Sequence, residues 1–273
     1  MYERHPHFET PSNDLRLWRY MDVGKFLALL FNRALHFSRK HDFHDRWEGV
    51  VPPLGVKRAV REPGRSEENV RFHVESIHET GEMVARRAVI SCWHANDRES
   101  VAMWGLYTSG AEGVAVQTTI DRLKSALEQE PCSVTIACVR YIDHLTDDVE
   151  RAWAGDPLSP LFCKRRGFEH EREVRCAIAN PEGEREQALQ MSGIDPGLRQ
   201  RFPVLEQWEK VVDGALGEGG LDVPVDLGAL IEGIVVSPQY LVPALQAVVD
   251  SAGLAVRVET SSLLEPPPGP TTA

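Results

Sequence analysis

Apolar and polar residues alternate over Leu15–Tyr20 (LRLWRY) in the two-residue rhythm of a strand with one buried face. The rhythm then changes. Asp22 stands where a helix N-cap belongs, and Val23, Phe26, Leu27 and Leu30 recur at helical spacing to about Arg33. Ala34–Ser38 (ALHFS) returns to the strand pattern. From Arg39 to about Gly81, charges, prolines and glycines break every period, which predicts loops with one helix near Glu67–Ile77. Ala88–Trp93 (AVISCW) has the continuous apolar run of a buried strand. Asp97 is expected to cap the next helix, with Val101, Met103, Trp104 and Tyr107 on its apolar stripe. A strand at Gly113–Thr119, a helix at Asp121–Glu130 and strands at Val134–Tyr141 and Val174–Ala179 follow.

Between Asn180 and Leu221 the pattern gives way to Glu, Gln, Gly and Pro, the composition of an inserted, partly helical excursion that carries little core. A compact unit closes the chain: strand Ile234–Val236, Ser237 and Pro238 as N-cap and first helical residue, a helix to Gly253, and strand Leu254–Val258. A strand–helix–strand of this length predicts a right-handed parallel crossover. The expected organisation is a flexible N-terminus at 1–14, a single α+β domain at 15–265, and a Pro-rich disordered tail at 266–273. Its sheet is expected to be mixed and strongly twisted, flanked by helices.

Composition narrows this picture. With 273 residues and 42% hydrophobic content, the chain can build one core. No apolar run approaches the ~18 residues of a membrane span, and residues 1–14 lack the apolar core of a secretory signal. The reading is cytoplasmic, with no membrane partner. Cys92, Cys132, Cys138, Cys163 and Cys176 are odd in number and form no C-x-x-C pair, which predicts free thiols, three of them (Cys92, Cys138, Cys176) in the core. A net charge of −11 argues against broad DNA binding, although Lys164, Arg165, Arg166, Arg172 and Arg175 form a local basic cluster. His5, His7, His36, His41 and His44 are scattered without a metal-ligand spacing, so no metal is expected. Dinucleotide, P-loop, zincin and nucleophile-elbow motifs are absent.

Three stretches carry candidate chemistry. If Phe168–Arg175 enters a strand, Glu171, Glu173 and Arg175 share one face at ~7 Å intervals, opposite Val174, Cys176 and Ile178. That face is either a cleft wall, where Arg175 keeps one carboxylate ionised while the other binds a hydroxyl, or a solvated surface of cross-strand ion pairs. The segment Ser91–Asn96, with Trp93 and His94, is followed by Glu99, Trp104 and Tyr107 at a strand-to-helix junction; it is either a ligand mouth or core aromatics beside a surface histidine. In Trp18-Arg19-Tyr20, Arg19 interrupts an apolar strand, which predicts a ligand or a salt bridge to Glu171 or Glu173, with His36 and Ser38 on the next strand.

Eight segments in order resemble the bacterial family catalogued as domain of unknown function 2971. They are LWRYMD (17–22), LHFSR (35–39), the cluster of Phe43, Asp45, Glu48 and Gly49, SCWHAN…ESVAMWGLY (91–107), EGVAVQTTIDRLK (112–124), VRYID (139–143), K-x-x-x-F-E-x-E-x-E-V-R (164–175) and VDLGALIEGIVVSP (225–238). A remoter resemblance is to arginine-class ADP-ribosyltransferases, in the order of a strand with arginine, a hydroxyl-bearing strand and a Glu-x-Glu strand. It implies an ADP-ribosyltransferase-like fold with NAD as substrate. Arg19 would bind the pyrophosphate, Thr118, Thr119 or Ser38 would support the ribose, Glu173 would face the cationic transition state, and Glu171 would help the acceptor. Tyr20, Trp93, His94 and Arg175 complete the expected cofactor site. This sequence has only Gln117-Thr118-Thr119 where the usual motif is Ser-Thr-Ser, and its spacing after Arg19 is longer. The expected function is ADP-ribosyl transfer from NAD to an unknown protein or nucleic-acid acceptor, which fits a toxin or a phage-defence role. The alternatives are a non-catalytic sensor of nucleotides or RNA ends, using the basic cluster and Trp93 or Trp104, and a metal-dependent nuclease on Glu171, Glu173, His94 and Glu99.

Overall fold

Asp22 ends a strand and starts a helix. Its carboxylate accepts the Lys25 N–H at 2.8 Å, the helix Val23–Asn32 follows, and Arg33 stops it in the left-handed region at φ 48°. The computed structural model describes residues 2–108, 113–181, 183, 184, 187, 220–237 and 242–263. The chain divides into two compact units: 1–12, 35–93 and 127–224 form the first, and 13–34, 94–126 and 225–273 the second. Helices combine with mixed, largely antiparallel sheet, so the protein is α+β as its hydrophobic pattern predicts.

In the second unit, Arg16–Met21 pairs antiparallel with Val114–Thr119 along its whole length, from Arg16 opposite Thr119 to Met21 opposite Val114. Val114–Thr119 pairs antiparallel with Gly233–Val236, and Val258–Thr260 adds in parallel to the latter. The parallel pairing is as the strand–helix–strand pattern predicts, but the last strand starts at Val258, where the expected Leu254–Val258 ends. The helix Val242–Ser251 lies between them in sequence; Pro238, half of the expected cap, lies outside the described residues. Trp18, Tyr20, Met103, Trp104, Ala115 and Val235 form a core here. The helix Val101–Tyr107 starts three residues later than expected, because Ser100 rather than Asp97 caps it. The Tyr20 hydroxyl takes the Ser100 N–H at 2.8 Å and holds the preceding residues out of the helix.

In the first unit, one helix spans Glu67–Arg87, ten residues longer than the sequence pattern indicates. It runs through Gly81 because that glycine serves packing: a Cβ there would lie 2.6 Å from Val51. A further helix, Pro53–Val60, begins with proline in its first turn, where the missing N–H costs nothing. The sheet runs Tyr2–Glu3, Val134–Cys138, Glu173–Ile178, then Val89–Ala95. The expected strand Val134–Tyr141 is in fact two: Val134–Cys138 pairs antiparallel with Glu173–Ile178, while Arg140–Ile142 turns away to pair in parallel with Cys163–Arg165. Where a flexible start was expected, Tyr2–Glu3 pair with Val134–Thr135, Phe8 is buried, and Glu9 accepts the Cys138 N–H at 3.0 Å. All five cysteines are free. Among the described residues, no helix is long and apolar enough to cross a membrane.

Candidate functional site

The parallel pair of short strands sets Tyr141 opposite Lys164 and Ile142 opposite Arg165, so consecutive side chains of both strands serve two different surroundings. Lys164 faces inward. A buried ammonium needs partners, and Lys164 has two: it bonds Glu171, and its Nζ lies 3.2 Å from Glu173 Oε2. Glu173 opens the strand Glu173–Ile178, and Arg175 lies two residues on, hence on the same face. Arg175 is fully buried and every guanidinium nitrogen is used. Its Nε donates to Glu173 at 2.6 Å, its Nη1 to Glu48 and to the Leu161 carbonyl, and its Nη2 to Glu48 at 3.0 Å and Glu173 at 3.1 Å.

Two expectations are corrected here. Glu171 is not on the strand: 166–171 form a short 3-10 segment, and Arg172 ends it in the left-handed region at φ 41°. Glu171 therefore reaches Lys164 from a turn. Nor is the charged face solvated, since all six residues of Glu173–Ile178 are buried.

The electrostatics follow from this packing. Burial alone would raise the Glu173 carboxyl, but Arg175 and then Lys164 outweigh it and hold the group down at about 2. Burial works against the Lys164 charge, and Glu173 and Glu171 together more than compensate. The nearby Cys92 thiol is pushed up by burial and then by Glu173, so it stays protonated. Three carboxylates (Glu48, Glu171, Glu173) meet two cations (Lys164, Arg175), which leaves one negative charge over.

The outward side of the same ladder borders a cavity of about 510 Å³, lined by Trp47, Ile142, His144, Arg165, Arg166 and Phe168 among others. This volume is within the ~300–1,000 Å³ of small-molecule sites. Arg165 pairs with Asp45 at 2.7 Å and Arg166 with Asp147 at 2.7 Å. Phe168 joins cavity and network, its ring centroid lying 4.8 Å from Lys164 Nζ and 5.4 Å from the Arg165 guanidinium. His144 is 2% exposed. Its Nε2 lies 3.7 Å from the Cys163 sulfur, and its ring sits 5.3 Å from that of Trp47. Its buried Nδ1 has no hydrogen-bond partner. Burial lowers the imidazole below its ordinary range, so it is neutral; Asp45 and Asp143 oppose this and Arg165 assists.

The other anticipated residues do not line this cavity. Trp93, in the first unit, is 2% exposed, and Ser38 pairs in register with Ile90. Arg19, Tyr20, His94, Thr118 and Thr119 belong to the second unit. There the Tyr20 ring packs 5.2 Å from Trp104 and 6.2 Å from His94, while Trp104 donates to Glu99 at 3.0 Å. Buried Trp93 and Trp104 are core side chains, with no face for stacking a base. The Thr118 hydroxyl donates to the Leu230 carbonyl and Thr119 Oγ1 accepts the Arg122 N–H at 3.3 Å, so both are engaged within the protein. The basic cluster is largely neutralised: Lys164, Arg165, Arg166 and Arg175 all hold carboxylates, and only exposed Arg172 pairs with no carboxylate among the described residues. The same pairings engage Glu171 with Lys164, and Glu173 with Lys164 and Arg175. Sequence reasoning missed Trp47 and His144, which sit in stretches without period, and the pairing role of Glu48, 127 residues from Arg175.

No protein-family model matches the chain, and no curated protein matches it.

Proposed function

We propose that the protein binds a nucleotide in the cavity walled by Trp47, His144 and Phe168. The observation that carries this reading is the unpartnered, buried Nδ1 of His144. Leaving such an atom without a partner costs about 1–3 kcal/mol, and a ring nitrogen or exocyclic amine of a base would restore the bond. The neutral imidazole offers a donor or an acceptor there, according to tautomer. The aromatic faces of Trp47 and Phe168 suit a planar base, and Arg165 and Arg166 suit phosphate once it displaces Asp45 and Asp147. NAD is the first candidate, since it combines base and pyrophosphate.

A second reading, ADP-ribosyl transfer from NAD, draws support from the surplus negative charge beside Phe168. In that reaction the bond from ribose C1′ to the nicotinamide nitrogen breaks and its electron pair leaves with nicotinamide. The acceptor then attacks a cationic ribose that Glu173 would stabilise across the network.

Calorimetry with AMP, ADP-ribose and NAD tests the first reading. At least one should bind, and Phe168→Ala and Arg166→Ala should each weaken it about tenfold, or ~1.4 kcal/mol. If none binds or raises the melting temperature at millimolar concentration, the nucleotide reading is lost. If NAD binds but nicotinamide release is the same for wild type and Glu173→Gln, the part given to Glu173 in transfer is lost and the nucleotide-binding reading remains.

A further inference from the structure

His5 and His7 flank Pro6 where the chain enters a turn, and their ring centroids lie 5.6 Å apart. Both meet one carboxylate, 149 residues away in sequence at the nearer ring: His7 Nδ1 lies 2.9 Å from Asp156 Oδ2, and His5 Nε2 lies 3.2 Å from the same oxygen. One atom from each of the three residues falls within 4.8 Å of the other two. Ligand atoms ~2.0–2.2 Å from a zinc ion, at angles between square and tetrahedral, are separated by ~2.9–3.5 Å. Both contacts to Asp156 have that separation. They are also the lengths of ordinary hydrogen bonds, which is the alternative the experiment below must defeat.

Two of the three ligands, Asp156 and His5, are held by a second contact, as metal ligands are. Asp156 Oδ1 accepts the Leu158 N–H at 3.0 Å, which orients the carboxylate. The His5 ring stacks on Phe8 at 4.2 Å, and Phe8 in turn stacks on buried Phe162 at 4.7 Å. The Asp156 side chain is 7% exposed, while His7 is 38% exposed, so an ion could enter from solvent. Two imidazoles and one carboxylate leave coordination positions open for water. This donor set suits zinc and its first-row neighbours, and not magnesium or calcium, which take oxygen ligands.

We infer that His5, His7 and Asp156 form a binding site for a first-row transition-metal ion, with zinc the probe of choice. The ion would fasten the first eight residues to the turn at Asp156, closing a very long loop, where a clip removes the most chain entropy. This is independent of the nucleotide cavity and departs from the expectation that the scattered histidines bind no metal. Their partner is too distant in the chain to form any motif.

The test is titration of metal-free protein with cobalt, followed by visible absorption and displacement with zinc. The expected result is one ion per chain, with d–d bands and no thiolate charge-transfer band, since no cysteine is among the ligands. His7→Ala, an exposed change that spares the fold, and Asp156→Asn should each weaken zinc binding at least about tenfold, because imidazole and carboxylate lone pairs form the site. His73→Ala, on an exposed helix, should not. Zinc should also raise the melting temperature of the wild type and not of His7→Ala. Absence of zinc binding at 100-fold excess, equal affinity in His7→Ala, or a thiolate band would each overturn the assignment and leave two hydrogen bonds to Asp156.

Discussion

The buried charge network and the neighbouring cavity share one ring, Phe168, yet they treat their polar atoms in opposite ways. Around Arg175 every nitrogen is answered: two carboxylates and a carbonyl take them, and Lys164 closes on Glu171 and Glu173. Around His144 one ring nitrogen is left over, and the arginines stand at 46% and 63% side-chain exposure. Burying a charge costs several kcal/mol, which only a complete set of partners can offset. The network is therefore architecture first, and any catalytic part it plays must act through a fixed charge distribution. His144, which lines the cavity, keeps one ring nitrogen without a partner. Residue type does not separate the two regions, since arginine and acid occur in both. Satisfaction does.

The sharpest way to break this contrast is Arg175→Met. It leaves Glu48 and Glu173 buried against each other without their shared cation, so the loss should be about 3–5 kcal/mol, enough to prevent folding in a marginal protein. Urea denaturation measures it. A cost under ~1 kcal/mol would mean that the pair behaves like an exposed surface bridge. Glu173→Gln, which retains shape and some hydrogen bonds, should cost less than Arg175→Met and still fold.

Acidification probes the same network more gently. Glu173 has a folded-state value of about 2, below its ordinary 4.5. A depressed carboxylate contributes stability that is complete above the unfolded value and is lost as pH falls through the folded one. Stability should therefore decline between about pH 4.5 and 2 by roughly 3 kcal/mol from this group. Glu173→Gln should flatten that slope in urea titrations run at a series of pH values. An unchanged slope would show that Glu173 is not held by its two cations.

Sequence pattern exposed half of this. The strand at Glu173–Ile178, the pairing of Arg175 with a carboxylate and the proximity of Glu171 follow from two-residue periodicity and charge. The helix after Asp22 was legible too, because its cap and stripe are local. What failed was non-local or aperiodic. Glu48 meets Arg175 from a loop whose mixed charges suggest only solvent. The left-handed turn at Arg172 carries no glycine to announce it, so Glu171 reads as strand. Gly81 looks like a break when viewed along the chain and is a contact when viewed across it. Hydroxyls at Thr118 and Thr119 look available in a list of residues, but their bonds go to the Leu230 carbonyl and the Arg122 amide.

The smallest expected effect is the most informative about the cavity. His144→Phe keeps an aromatic ring of similar shape against Trp47 and removes both nitrogens. If Nδ1 is idle in the free protein, deleting it relieves an unsatisfied buried group worth about 1–3 kcal/mol, against the loss of only a weak contact to the Cys163 sulfur at 3.7 Å. Stability should then change by less than ~1 kcal/mol, or rise. Nucleotide affinity should nevertheless fall, since the base loses its bonding partner. A loss of stability comparable to that of Arg175→Met would instead place His144 with the architecture, and the contrast between the two regions would vanish. Stability preserved together with affinity lost is the outcome that only a ligand-facing histidine can give.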